Sequence, residues 1–142
     1  SKDMLNMVNK ESGLAGISGV SSDMREITTA AKQGNEKAIL SLEMYEQRIT
    51  KYVGAFAAEM GGVDIIVFTG GVGEHQSSTR ANVCNPLRFM GVEIDDAAND
   101  ANNGDEGIIS TPNSAVKVVV IPTDEEYMIA KDTEAIIEGR EP

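Results

Sequence analysis

The apolar positions along the chain change period twice, and those changes mark its elements. Ala38, Leu42, Tyr45, Ile49, Val53, Phe56 and Met60 recur at every third or fourth residue, which places them on one stripe of an α-helix. Asn35 is positioned to cap the start of that helix and Gly61-Gly62 to end it. At Ile65-Ile66-Val67-Phe68 the spacing gives way to a continuous β-branched and aromatic run. That pattern predicts a strand buried on both faces of a parallel sheet. Val116–Ile121 predicts a second such strand, and Gly91–Asp95 a short alternating one. A helix is expected from Ser77 or Ser78 to Met90, split or kinked at Pro86.

Two more helices are marked by their caps. Asp23 followed by Glu26, and Thr123 followed by Glu126, are capping-box spacings. They predict a helix over 23–33, stopped by Gly34, and another over 124–137. By contrast, "NKESGLAGISGVSS" (9–22) reads as loop with short turns, and "DDAANDANNGDEG" (95–107) as a polar surface turn. Residues 1–62 therefore read as loop plus helices, and 63–142 as an α/β part with helices on a mostly parallel sheet. In open sheets of this kind ligands sit beyond the carboxyl ends of strands. Two such ends stand out: Thr69-Gly70-Gly71 and Pro122-Thr123-Asp124-Glu125.

Composition narrows the chemistry. With 142 residues the prior is a single domain. The net charge is −11 and Lys and Arg are not clustered, so no nucleic-acid partner is expected. Any phosphate must be held by backbone N–H groups, single basic residues or a metal, because the overall field repels it. No apolar run approaches the length of a membrane span, and the opening ten residues lack the apolar core of a leader. Cys84 is the single cysteine, which rules out an internal disulfide and suits a cytoplasmic setting. Its apolar neighbours Val83 and Leu87 make it a packing residue.

The stretch "DIIVFTGGVGEHQ" (64–76) carries the strongest chemical signal. A nucleoside triphosphatase phosphate loop needs Lys and then Ser or Thr after its last glycine, and here Glu74-His75 follows Gly73. The dinucleotide fingerprint needs a third glycine, and Gln76 stands in that place. What survives is a glycine turn at a strand end, where bare backbone can approach a ligand closely and the next helix offers free N–H groups. A strained turn with no ligand remains the alternative.

Here the residues point to a family. "VFTGGVGEH" resembles the "VFTGGIGEN" segment of acetate kinase and the other short-chain acyl kinases. "SGLAGISGVSSDMREI", "FMGVEIDDAAND" and "VVVIPTDEEYMIAKDT" resemble three further family stretches, in the family's order. The resemblance implies an actin-like, sugar-kinase (ribonuclease H-like) fold, of which this chain is the C-terminal lobe. It implies reversible transfer of the γ-phosphoryl group of ATP to acetate, giving acetyl phosphate and ADP, with Mg²⁺ and in a homodimer. On matching positions, Asp23, Met24 and Arg25 correspond to a nucleotide-binding segment. Gly71, Val72, Gly73, Glu74 and His75 correspond to the segment against the adenosine part, His75 standing where Asn is common. Glu125 corresponds to a magnesium-associated glutamate. Each also has a plain reading: Asp23 as a helix cap, Arg25 as a surface charge, Glu125 as a carboxylate favoured at a helix start.

The family's catalytic aspartate, stabilising histidine, substrate arginines and His-x-Gly-Asn-Gly loop have no counterpart here. The chain is therefore expected to be the C-terminal portion, inactive as a kinase alone. A propionate or butyrate kinase, a non-catalytic adenine-nucleotide module, and an α/β interaction domain without ligand remain open readings.

Overall fold

A computed structural model describes residues 1–141. Its elements are α1 (Lys2–Asn6), α2 (Gly13–Ser18), α3 (Met24–Lys32), α4 (Glu36–Met60), β1 (Ile65–Phe68), α5 (Gly70–His75), α6 (Ser77–Cys84), α7 (Asp96–Ala101), β2 (Gly107–Ile108), β3 (Lys117–Val120) and α8 (Glu125–Ile137). A π-helical turn spans Met7–Glu11 and a 3₁₀ stretch spans Asn85–Met90. The sheet order is β1-β3-β2, with β1 parallel to β3 and β2 antiparallel to it.

The long helix forms as its stripe predicts. Asn35 accepts from Lys37 N and Ala38 N, each at 3.1 Å, and Gly61 ends the helix in the left-handed region. Its stripe is buried only in part: Ala38 is inside, Ile49 and Val53 pack against the core, and Phe56 and Met60 lie in solvent. The core itself joins Ile66 and Phe68 of β1 to Val118 and Val120 of β3, with Val83, Cys84, Leu87 and Ile109 around them.

Several expectations are corrected. β1 is covered on one face only: Ile66 and Phe68 are buried, while Ile65 and Val67 are 55% and 49% exposed. A continuous apolar run does not say how many faces are covered, and here helices pack on one. The opening residues are helical rather than loop. Residues 95–107 contain α7, because Asp95 caps it by accepting from Ala98 N at 3.0 Å; the cap offsets a polar composition that reads as turn. Gly91–Asp95 makes isolated bridges, Val92 to Val116 and Ile94 to Ser110, instead of a strand. The expected split at Pro86 is present: α6 ends at Cys84 and the 3₁₀ stretch takes over at Asn85, where the missing N–H of Pro86 is tolerated. The cap of α8 is Asp124, accepting from Tyr127 N at 2.9 Å, and not Thr123.

Candidate functional site

A cleft of about 700 Å³ opens between α3 and the α5–α6 corner. One wall is Asp23, Met24 and Arg25 with Thr28, Thr29 and Lys32 farther along α3. The other is Gly71, Val72 and His75 with Gln76, Ser77 and Ser78. Two segments far apart in sequence are thus brought face to face, and both were singled out from the sequence alone.

Asp23 caps α3. It accepts from Arg25 N at 2.8 Å and takes the Arg25 guanidinium in a fork, Nε to Oδ1 at 3.1 Å and Nη2 to Oδ2 at 2.6 Å. Arg25's side chain and backbone N–H together lower the Asp23 carboxyl to about 2. Arg25 remains largely in solvent, with 87% of its side chain exposed. Held by its own neighbour yet open to solvent, it is a cation paired at the mouth of the cleft. Thr28 has a buried hydroxyl with no hydrogen-bond partner among the described residues, an unusual state for a helical threonine.

The glycine segment forms a single helical turn after β1. Gly70 has φ +70°, which makes the reversal at the strand end, and a side chain on Gly71 would meet nothing within 4 Å. Gly71 therefore presents bare backbone to open space. Gly73 and Glu74 lie behind this wall. Gly73 packs close on Phe68, where a Cβ would sit 3.4 Å from the strand. The buried Glu74 carboxylate accepts from Gly70 N at 2.8 Å, Thr123 N at 2.9 Å and Thr123 Oγ1 at 3.1 Å. The Thr123 N–H chiefly holds the Glu74 carboxyl below its ordinary value. His75 Nδ1 lies 3.2 Å from Asn103 O. A carbonyl can only accept, so that nitrogen carries the proton, while Nε2 lies 3.9 Å from Glu74 Oε2, beyond hydrogen-bond reach.

Behind the glycine wall sits a residue the sequence did not flag. Arg80 is fully buried, and its five hydrogen bonds all go to neutral oxygens: Nε to Asn99 Oδ1, Nη1 to Gly73 O and Glu74 O, Nη2 to Asn99 O and Asn102 O. Burial lowers its pKa, opposed by nearby Asp100. It closes the carbonyl ends of both α5 and α7, where a cation is favoured. A lone Arg on a short helix carries no signal of this in sequence. The 25–28–29–32 row does, being one face of a helix. On the far side, the buried Glu46 of α4 accepts from Thr79 Oγ1 at 3.1 Å and Asn82 Nδ2 at 2.9 Å, and burial raises its pKa. Cys84 is buried and its thiol is pushed up to about 12 by burial, as packing rather than chemistry requires.

Glu125 opens α8 outside the cleft lining and is exposed. Among the described residues no group of three His, Cys, Asp or Glu side chains is placed to hold a metal ion, and no helix is long and apolar enough to cross a membrane.

A model of the acetokinase family matches residues 1–131. The acetate kinase of Porphyromonas gingivalis is 59% identical over 131 residues, covering 92% of this chain and 33% of that protein. That of Bacteroides thetaiotaomicron is 59% identical over 132 residues, covering 93% and 33%. Among solved structures, P. gingivalis acetate kinase superposes with a TM-score of 0.89 at 55% identity, over 96% of this chain and 34% of that one. A propionate kinase from Francisella tularensis superposes with a TM-score of 0.81 at 37% identity, over 92% and 33%. The chain spans about a third of the length of the curated relatives it matches.

Proposed function

The chain belongs to the acetokinase family, and from that premise we propose that it is the adenine-nucleotide-binding C-terminal part of an acetate kinase. The whole enzyme would transfer the γ-phosphoryl group of ATP reversibly to acetate, giving acetyl phosphate and ADP. The observation that carries this reading is the cleft shared by Asp23–Arg25 and Gly71–His75. Its volume suits a nucleoside, the bare Gly71 backbone suits a planar base or ribose edge, and the unpartnered Thr28 hydroxyl lacks a partner that a ligand could supply.

In this reading Met24, Gly71 and Val72 pack on the nucleoside. Asp23 holds Arg25 in position for an anionic group, and His75 Nε2 is available for a hydrogen bond. Gly73 and Glu74 act from behind the wall, by close packing and by fixing Gly70. Glu125 is an exposed carboxylate at a helix start, flanked by exposed Asp124 and Glu126; with no group of three such side chains placed to hold a metal among the described residues, it fits a water-mediated contact to Mg²⁺ bound mainly by nucleotide phosphates and does not fit an all-protein cage. Bound Mg²⁺ would offset charge on the transferring phosphoryl group. A homodimer belongs to the same proposal, and the apolar side chains that α4 leaves in solvent, Leu40, Met44, Tyr52 and Phe56, offer a surface for it.

The test is a titration of the chain with ADP followed by backbone amide NMR. Resonances of residues 23–25 and 71–75 are expected to move together at millimolar ADP. Absence of any such shift sinks the nucleotide reading. The same chain given ATP, Mg²⁺ and acetate is expected to make no acetyl phosphate, and turnover would show that it needs no further machinery.

A further inference from the structure

The glycine segment and the loop before α8 leave the carboxyl ends of two adjacent parallel strands, β1 and β3. The ladder's last bond between them is Ile121 N to Phe68 O at 3.0 Å. Beyond that point the two segments are joined by one atom. Glu74 Oε1 accepts from Gly70 N at the start of the turn, and from both Thr123 N and Thr123 Oγ1 in the loop. Glu74 is buried at 8% exposure and does not line the cleft, although its Oε2 lies 3.9 Å from Nε2 of the lining residue His75. Arg80 fixes the same residue from the other side by donating to its carbonyl at 2.7 Å. The short α5 is thus clamped at its carboxylate and at its backbone, and the carboxylate clamp reaches the loop that leads into Glu125 at the start of α8.

We propose that Glu74 is a positioning residue that yokes the glycine segment to the 122–125 loop, so that a nucleotide settling on the first is felt at the second. The propagated effect rests on the nucleotide reading; the yoke itself does not. Such a link makes the two segments one mechanical unit, and by linkage each then biases the other by the same amount.

The experiment is hydrogen exchange of the Gly70 and Thr123 amides in the whole chain, with and without ADP. Without ligand, Glu74→Ala is expected to speed exchange of both amides about tenfold or more, since each loses its acceptor. Glu74→Gln keeps an acceptor oxygen and is expected to stay within about threefold of the parent chain at both. With ADP, the Thr123 amide is expected to slow in the parent chain and in Glu74→Gln, and to be unaffected in Glu74→Ala. Unchanged amide rates in Glu74→Ala overturn the proposal. So does loss in Glu74→Ala without recovery in Glu74→Gln, because general loosening of α5 would then be the cause. ADP-induced slowing at Thr123 that survives Glu74→Ala overturns it as well. If ADP moves no amide in the parent chain, the nucleotide reading falls, and the ligand-free comparison of the two variants still decides the yoke.

Discussion

Arg25 and Arg80 place the same guanidinium in opposite settings, on the two sides of one wall. Arg25 sits at the cleft mouth in solvent, paired with the carboxylate that caps its own helix. Arg80 sits behind the glycine segment with no exposed surface, bonded to five neutral oxygens on α5, α7 and the turn after it. An exposed ion pair contributes little to stability because water and salt screen it. A buried cation that serves as the sole partner of several carbonyls cannot leave without orphaning them. The cation at the cleft mouth is therefore one the fold can do without, and the cation that keeps the wall in shape does not line the cleft.

Breaking the buried side should have the largest effect. Arg80→Lys keeps the charge but cannot reach five acceptors with three donors. A loss of about 2–5 kcal/mol is expected from the unpaired carbonyls, read as a lowered urea midpoint. A loss under about 1 kcal/mol would mean that the cage is not structural. Next comes Gly104→Ala, at the contact between the wall and the loop beneath it. Gly104 has φ +101°, and an added Cβ would lie 2.5 Å from the His75 ring. The ring can swing out, but the backbone strain stays, so a cost of about 1–3 kcal/mol is expected. The His75 ring proton shifts should change at the same time, and an unmoved ring would contradict the contact.

The smallest effect belongs to the exposed pair. Asp23's carboxyl is lowered from its ordinary 3.8 to about 2 by Arg25. A depressed carboxyl contributes stability above its unfolded value, and that contribution disappears as pH falls through the folded one. Between 3.8 and about 2 the parent chain should therefore lose more stability than Asp23→Asn, which still caps α3. Thermal melts across that window check it, and parallel acid limbs would show that the pair adds nothing.

The same divide explains what was legible in sequence. Helix α4 follows from a stripe of seven spaced apolar residues, and β1 and β3 from β-branched runs, because local periodicity records a local face. The two cleft segments were found through family motifs, and the structure places them together. Asp95 as a cap, Asn99 as a buried anchor and Arg80 as a cage went unread. Asp95 is a local cap hidden in a stretch whose polar composition reads as turn, whereas Asn99 and Arg80 depend on partners 19 and 22 residues away that only the folded chain brings near. The spacing of Thr123 to Glu126 fits a cap of α8. Its hydroxyl is instead used 49 residues back, on Glu74, which leaves the cap to Asp124. A short-range rule assigns a polar side chain to its neighbours in sequence, and a tertiary acceptor can outbid them.

The one-sided sheet has a consequence for how this molecule behaves in a test tube. Ile65, Val67, Ile108 and Ile121 face water from adjoining strands, and β1 runs along an unpaired edge. Such a surface is adhesive, since two copies that meet there bury apolar area and can extend the ladder. What opposes the encounter is the net charge of −11, a repulsion whose reach shrinks to about 10 Å at 0.1 M salt. Colloidal stability and fold stability are therefore governed by different residues here, and raising the ionic strength should clump a chain that remains fully folded.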